Sequence, residues 1–248
     1  MRKAFSLVEL SVVLIILGLL IAGVVTGKKM INNAKLMKTL AVIEEYNASI
    51  SMFYASYDAL PGDMNNAYSY FTSDCAGGDQ DECNGDGDLR IEFATNNTNE
   101  IAKIFHHINI SGIWAKNWVG NHSYTPNSAV DAAGNTCSSS NYGVVPGATS
   151  PTFGDTTIAI TAAYIAESVN NNLFIIGGSK CNDYPVYQGF TPLVASQIDI
   201  KYDDGVANTG NVLGYTASGA PTCHSSGVYQ LSGTQKACYL RWIEQIPN

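Results

Sequence analysis

The feature that most constrains this 248-residue chain is an apolar run at its beginning. From Phe5 to Val25 the run contains one charged residue, Glu9. Its length is the roughly 20 residues that an α-helix needs to cross the hydrocarbon core of a bilayer. Arg2 and Lys3 precede the run, and basic residues beside such a helix stay on the cytoplasmic side. The sequence therefore predicts one membrane helix that places the rest of the chain outside the cytoplasm.

Glu9 lies near the beginning of this run, where an ionised carboxylate costs about 3 kcal/mol and is by default a functional group. A secretory signal is one interpretation, because Ala22-Gly23 weakly resembles the small-residue site at which such signals are cut. That interpretation leaves Glu9 without a role. The alternative places cleavage before the apolar run, so that the helix stays with the mature protein.

The segment Ala4-Phe5-Ser-Leu-Val-Glu9-Leu resembles the prepilin signal of type IV pilins and type II secretion pseudopilins. The resemblance implies that residues 1–4 are a leader peptide, which a prepilin peptidase removes after Ala4. It also implies that Phe5 becomes the methylated amino terminus. Glu9 then corresponds to the glutamate at mature position five.

The resemblance and electrostatics lead to the same expectation for Glu9. A buried carboxylate is retained where an opposite charge meets it, and the amine of Phe5 on the next copy is the obvious partner. The expected function is that of a structural subunit of a type IV pilus or of a type II secretion pseudopilus-like filament. The subunit waits in the inner membrane with its globular domain in the periplasm. Its expected partners are other pilin-like subunits, the prepilin peptidase and the inner-membrane assembly machinery.

The helix is expected to continue well beyond the membrane. No proline occurs before Pro61, and spacings of four and three residues define one face. The sequence predicts residues 5–27 as the transmembrane or filament-core half and residues 28–57 as the amphipathic half of one helix, roughly 80 Å long. A generic membrane anchor with a helical stalk explains the same pattern. The residues of the face are Leu36, Leu40, Ile43, Asn47, Ile50, Tyr54 and Tyr57.

Residues 58–248 are expected to form one globular domain of antiparallel strands separated by turns. The turn Ser232–Gln235 predicts a hairpin between the last two strands. Thr191-Pro192 predicts the start of a helix, although alternation at Ile198, Ile200 and Tyr202 fits a strand equally well. The predicted class is α+β, which is also what the pilin resemblance implies. The predicted strands are Thr156–Ile165, Leu173–Ile176, Val228–Leu231 and Cys238–Ile243.

Two internal segments extend the resemblance. Ala59–Ala67 follows the long helix, and Ile198–Gly205 lies in the carboxyl-terminal part of the domain. Both are similar to stretches that recur in large pilin-like proteins of Gram-negative bacteria.

The charge distribution separates the helix from the domain. The net charge is −8, yet six of the thirteen basic residues precede Thr39. The remainder is therefore markedly acidic, which argues against nucleic acid as a partner.

Six cysteines lack the CxxC spacing of zinc sites and are expected to form disulfides in an oxidising periplasm. Cys75 and Cys83 would close a short acidic loop, and Cys223 and Cys238 would brace the terminal hairpin. Cys137–Cys181 then follows by elimination.

The segment 79–92 is the one stretch with possible metal chemistry. Asn84, Asp86 and Asp88 alternate around glycines, the arrangement of oxygen ligands that calcium prefers, and Glu92 lies one position before the usual bidentate ligand. Two interpretations stay open: a calcium site formed by these four residues, or a solvated acidic loop without metal.

Catalytic motifs are not found, and no enzyme activity is expected. His106 and His107 are neighbours in a helix predicted over Ile101–Ile113, so they point in different directions and are expected to be surface or packing residues. The alternative to a filament subunit is a membrane-tethered binding protein that does not polymerise, such as an adhesin or glycan-binding module.

Overall fold

The computed structural model describes residues 7–72, 83–91, 100–113, 158–165, 171–178 and 186–243. These residues form a long amino-terminal helix and an α+β domain, as the sequence predicts. Six residues to which the sequence assigns a role lie outside the described ranges: Ala4, Phe5, Cys75, Glu92, Cys137 and Cys181.

The first helix, α1, runs without a break from Leu7 to Tyr57 and contains 51 residues. At a rise of 1.5 Å per residue it is about 76 Å long. It ends where Asp58 adopts a left-handed backbone conformation, with a φ of 51°, and donates its N–H to the carbonyl of Tyr54. Pro61 follows within four residues, and proline disfavours further helix. The predicted end of the helix at Tyr57 is confirmed.

The two halves of α1 differ in their surroundings. Every residue from Leu7 to Thr26 is exposed, whereas the later half buries one face against the domain. Residues three and four apart share a face of a helix, so the buried positions form one stripe. The stripe passes through Tyr46 and Phe53, which are not among the residues predicted for this face, while Asn47 is only half-buried at its border. The buried apolar residues of the stripe are Leu40, Ile43, Tyr46, Ile50 and Phe53.

Three shorter helices and six strands follow among the described residues. All of the described strand pairs are antiparallel. Four strands form a sheet in the order β1-β2-β6-β3, and β4 pairs with β5 separately. The helices are α2 (Ala67–Phe71), α3 (Glu100–Ile110) and α4 (Pro192–Tyr202). The strands are β1 (Ile158–Ile165), β2 (Asn171–Gly178), β3 (Val212–Thr216), β4 (His224–Ser225), β5 (Val228–Tyr229) and β6 (Cys238–Trp242).

One face of the four-stranded sheet packs against both α1 and α4. Phe174 on β2 and Trp242 on β6 are directly paired, so their side chains lie on the same face. The ring centroid of Phe174 is 5.3 Å from that of Tyr46 on α1. The ring centroid of Trp242 is 4.6 Å from that of Tyr202 on α4. Both helices therefore cover the same side of the sheet, and the main core lies between them and the strands.

A second, smaller apolar cluster lies at the end of α1 that is far from the apolar run. Phe53 of α1 packs there with Met64, with Ala67 and Phe71 of α2, and with Cys83. This cluster fastens the segments that follow α1 to the last turns of the long helix.

The start of α4 agrees with the predicted helix, and the alternative strand over the same residues is not formed. The Thr191 hydroxyl oxygen accepts a hydrogen bond from the N–H of Val194, at 3.3 Å, and Pro192 occupies the first helical position. Such a cap satisfies an N–H group that the first helical turn leaves without a partner. The cap at Thr191 and the proline that follows it therefore favour the helix over the strand.

The predicted terminal hairpin is wrong. Val228–Tyr229 pairs with His224–Ser225, which precedes it, and β6 pairs with β2 and β3. The turn near Gly233, whose N–H donates to the carbonyl of Gln230, carries the chain from one sheet to the other. Strands β3 and β4 were not predicted.

Candidate functional site

The apolar half of α1 is the largest exposed apolar surface of the described residues. Leu7–Lys28, a segment of 22 residues, is long and apolar enough to cross a membrane, and none of it is buried inside the protein. A soluble surface rarely leaves an apolar area of this size in contact with water. Lipid or other helices are the surroundings that suit such a segment.

Glu9 lies in the first turn of α1 and is exposed. A carboxylate in the first turn of a helix interacts favourably with the positive end of the helix dipole. The hydroxyl groups of Ser11 and Thr26 donate to the carbonyls of Val8 and Ala22, both at 2.9 Å, so they are satisfied within the helix. Glu9 is the one charged residue between Leu7 and Gly27.

The acidic loop at residues 83–91 folds around Asp63, which comes from the turn after α1. One carboxylate oxygen of Asp63 accepts from the N–H groups of Gly87 and Asp88, at 2.7 and 3.1 Å. The other oxygen accepts from the N–H of Leu89 at 2.9 Å. Burial raises the pKa of Asp63 to about 7, against the effect of these backbone hydrogen bonds. Asp63 is thus buried beneath the loop and fixes its backbone through three hydrogen bonds.

Three carboxylates converge at this loop. One oxygen from each of Asp63, Asp86 and Asp88 lies within 4.8 Å of the others. Asn84, a predicted calcium ligand, instead accepts from the N–H of Tyr68 at 2.8 Å through its side-chain oxygen. Glu92, the fourth predicted ligand, lies outside the described residues. A cation here would meet Asp63, which is not among the predicted ligands although it lies in the segment Ala59–Ala67 of the pilin resemblance.

Helix α3 turns a polar face toward the same loop. Glu100, Lys103 and His107 are spaced for one face and are all buried. The Glu100 carboxylate accepts from the N–H of Asp86 at 3.1 Å, and the Lys103 ammonium donates to the carbonyl of Asn84. The backbone of the acidic loop is therefore bound by Glu100 and Lys103 on one side and by Asp63 on the other. Each of these buried side chains thereby has the hydrogen-bond partner that its burial requires.

His107 is fully buried and links three parts of the chain. Its Nδ1 accepts from the N–H of Gly62 at 2.9 Å, and its Nε2 lies 2.8 Å from the carbonyl oxygen of Cys83. Because a backbone N–H can only donate, the ring proton must be on Nε2, and the imidazole is neutral. The ring centroid lies 5.9 Å from that of Phe53 and 6.2 Å from that of Phe71. His107 is therefore a packing residue, as the sequence predicts, and its neighbour His106 is only half-buried.

A second aspartate-centred loop follows α4. Asp199 is buried and accepts from the Tyr229 hydroxyl at 2.8 Å and from the N–H of Gly205 at 2.9 Å. Burial raises the pKa of Asp199 above its ordinary value. The N–H of Val212, at 2.9 Å, and that of Asn211 donate to Asp203. Both segments singled out by resemblance thus contain a buried aspartate that accepts hydrogen bonds from backbone N–H groups further along the chain.

Asp204 belongs to this second loop and is exposed. The Thr209 hydroxyl donates to it at 2.6 Å, and the N–H of Val206 donates at 2.8 Å. These hydrogen bonds hold the pKa of the Asp204 carboxyl below its ordinary value. Asp204 therefore carries a negative charge at neutral pH.

The disulfide Cys223–Cys238 is confirmed, with 5.1 Å between the two Cα atoms. It joins β6 to the residue before β4 instead of bracing a hairpin. Cys83 is also disulfide-bonded. Its predicted partner Cys75 lies outside the described residues, as do Cys137 and Cys181.

No family model matches the chain. Comparisons with curated proteins and with solved structures give no match either.

Proposed function

We propose that this chain is a pilin-like filament subunit that is stored in the inner membrane and assembles through its amino-terminal helix. The observation that supports this most is the division of α1. One unbroken helix has an apolar half that is exposed on all sides and a later half that forms part of the domain core. Such a helix fixes the domain rigidly to a segment that must be covered by lipid or by other helices.

The role of Glu9 distinguishes this proposal from a simple anchor. In the filament, its carboxylate pairs with the amine of Phe5 on the neighbouring copy, and the pair sets the axial position of one copy against the next. A membrane-tethered adhesin or glycan-binding module needs no such charge within its anchor. The role of the protein is mechanical, and its partners are further copies or related subunits, the prepilin peptidase and the membrane assembly machinery.

Processing provides the first test. Mass spectrometry of the protein purified from the membranes of its native host should find a chain that begins at Phe5 with a methylated amine. A chain that retains Met1, or one that begins after Ala22, would contradict the proposal.

Assembly provides the second test. Glu9→Ala should leave membrane insertion intact, because it removes a charge that hydrocarbon disfavours. Multimers recovered from the cell surface should fall at least tenfold, because the neighbouring amine loses its counter-charge. Ser11→Ala, in the same region of the helix, is the matched control and should assemble normally. Normal multimers of Glu9→Ala would leave the tethered binding protein as the better assignment.

A further inference from the structure

Four lysines follow the apolar half of α1, in residues 28–38, which we call the basic neck. No acidic residue occurs between Leu10 and Ile43. The backbone of the neck is helical throughout, and Lys28 is exposed and has no ion pair with any described residue. The described part of the chain therefore does not neutralise the charge of Lys28. The lysines of the neck are Lys28, Lys29, Lys35 and Lys38.

The number of lysines is unusual for their side of the membrane. The disulfide Cys223–Cys238 indicates that the domain, and with it the neck, lies outside the cytoplasm, because such bonds persist in oxidising compartments. Basic residues beside a membrane helix are normally concentrated on the cytoplasmic side. Here the cytoplasmic end has Arg2 and Lys3, whereas the outer end has four lysines. This departure from the usual distribution points to a role for the positive charge itself.

The length of the apolar segment places the first two lysines at the membrane surface. Leu7–Lys28 has 22 residues, and at 1.5 Å per residue it is about 33 Å long. The hydrocarbon core of a bilayer is about 30 Å thick, and the polar headgroup layer adds roughly 5–7 Å on each side. Lys28 and Lys29 then lie at the level of the headgroup phosphates. Lys35 and Lys38 lie about 10 Å and about 15 Å beyond Lys28 along the axis.

The domain carries mostly the opposite charge. Lys201 is an exception beside the neck: its ammonium contacts the sulfur of Met37, about 14 Å beyond Lys28 along the axis. It adds positive charge near the level of Lys38, above the headgroup layer. Residues 39–248 as a whole contain 20 acidic and 7 basic residues. An anionic surface therefore attracts the neck and repels the domain.

The carboxylates of α1 are too far from Lys28 to neutralise it. The nearest are those of Glu9 and Glu44, about 28 and 24 Å away along the axis. Salt screens exposed charges that are separated by more than about 8 Å at physiological ionic strength. Asp203 and Asp204, which follow α4, accept hydrogen bonds from groups of their own loop. The charge at the start of the neck is thus available to a partner outside the chain.

We propose that the basic neck binds the phosphates of anionic phospholipids in the membrane leaflet on the side of the domain. Lys28 and Lys29 contact the headgroups, and Lys35 and Lys38 are attracted more weakly, because they lie further from the charged surface. The bound lipids fix the depth of α1, and repulsion holds the acidic domain above the membrane. The inference rests on the membrane storage in the proposed function and not on filament assembly.

The acidic domain of a neighbouring copy is the other partner that the charge would suit, and it fits less well. Leu40, the first buried residue of α1 among the described side chains, lies about 18 Å beyond Lys28 along the axis. A neighbour anchored by the same apolar segment in the same membrane has its domain at the same height. Headgroups, in contrast, surround Lys28 and Lys29 at their own level.

Lipid selectivity in reconstituted membranes tests the proposal. The full chain is inserted into phosphatidylcholine vesicles that contain a trace of spin-labelled phosphatidylglycerol or of spin-labelled phosphatidylcholine. Electron paramagnetic resonance then measures how strongly each labelled lipid associates with the protein. All samples carry Arg2→Gln and Lys3→Gln, which remove the side-chain charges of the other end. Phosphatidylglycerol should associate about threefold more strongly or better, and 1 M salt should abolish the preference.

Single-charge variants locate the source of the preference. Lys28→Gln should lower it about twofold, and adding Lys29→Gln should remove most of what remains. Lys38→Gln removes the same charge further from the headgroups and should lower the preference less. Arg90→Gln is the matched control and should leave it unchanged, because Arg90 follows Leu89, whose N–H binds Asp63 beyond the far end of α1.

The outcomes separate this inference from the proposed function. Insertion with equal association of the two lipids would refute the lipid contact alone and leave an acidic protein as the partner of the neck. Equal losses for Lys28→Gln and Arg90→Gln would also refute it, because the preference would then follow total charge. Failure of the chain to insert into the vesicles at all would overturn membrane storage, and the lipid contact with it.

Discussion

His107 gives the acidic loop a rigid support. Its two ring nitrogens satisfy one backbone donor, at Gly62, and one backbone acceptor, at Cys83, and its ring fills the space between Phe53 and Phe71. Few side chains can do all three. A buried backbone group that loses its partner costs about 1–3 kcal/mol, and removing a large buried side chain adds the cost of a cavity.

We therefore expect His107→Ala to lower the free energy of unfolding of the protein by about 3 kcal/mol or more. The measurement is denaturant unfolding of the detergent-solubilised full chain. His106→Ala is the matched control and should cost much less, because that ring is half-buried. Equal losses for the two variants would contradict the bracing role of His107.

Asp63 predicts an unusual dependence of stability on pH. Its pKa of about 7 in the folded protein exceeds the ordinary value of 3.8, so the folded state binds its proton more tightly than the unfolded state. The stabilising contribution is then complete below about pH 4 and is lost as the pH rises through about 7.

The measurement is the melting temperature of the wild-type protein minus that of Asp63→Asn, between pH 4 and pH 8. This difference should shrink as the pH rises, because Asn cannot titrate. The exposed Asp88→Asn serves as control, and its difference from wild type should not follow the same curve. If the difference for Asp63→Asn grew with pH instead, the hydrogen bonds from the backbone N–H groups would lower the pKa of Asp63 more than burial raises it.

At the scale of elements, the acidic loop is where calcium binding stays a prediction. Asp63, Asp86 and Asp88 place three carboxylates close together, and their mutual repulsion would be relieved by a divalent cation. A ligand that binds only the folded state stabilises it, by about 2.7 kcal/mol at a hundredfold excess over Kd.

Melting of the full chain in millimolar calcium should accordingly occur at a higher temperature than melting in chelator, and Asp86→Ala should remove most of the difference. Asp58→Asn, outside the loop, should preserve it. If the unmodified protein melted at the same temperature in calcium and in chelator, the calcium site would be refuted.

Elements governed by local signals could be predicted from the sequence, and the others could not. The helix α4 has its own cap at Thr191 and a proline at its first position, so its start is determined within a few residues. Strand β3 contains Gly214, which weakens the strand pattern. A Cβ there would come within 2.6 Å of the Tyr229 hydroxyl oxygen, a constraint that comes from a distant part of the chain.

The residues of the candidate sites also fall into those that local spacing predicts and those whose role depends on a distant part of the chain. Asp86 and Asp88 are recognisable from their spacing alone, whereas the role of Asp63 depends on the turn after α1 meeting a loop more than twenty residues later. The stripe on α1 was predicted in part, because Tyr46 and Phe53 are buried by partners that the periodicity does not reveal. The sequence therefore predicts which residues share a face or a loop within one element, but it does not predict which side chains of different elements are in contact.

At the scale of the whole molecule, α1 joins an exposed apolar segment to a domain that buries one face of its later half. Residues 28–38, the basic neck, lie between the two: Lys28 is exposed, and Leu40 is the first buried residue of α1 among the side chains that the structure describes. The neck contains Asn32 and Asn33, which are weak helix formers.

Limited trypsin digestion of the detergent-solubilised protein should therefore cut first after Lys28 or Lys29 and release a folded fragment that begins near Met30. Lys201, which contacts α1, should be cut much more slowly, and mass spectrometry of the early products measures the order. Cleavage at Lys201 as fast as in the neck would show that α4 is not firmly held on the domain.

The position of β6 within the sheet governs when the domain can fold. Residues 238–242 are the last described strand along the chain, yet β6 lies between β2 and β3 and is joined to Cys223 by a disulfide. During synthesis, β1, β2 and β3 emerge without the strand that joins them into one sheet. The four described strands therefore cannot form one sheet until β6 has been synthesised, so a chain cut short before Cys238 would leave β1 and β2 without a connection to β3.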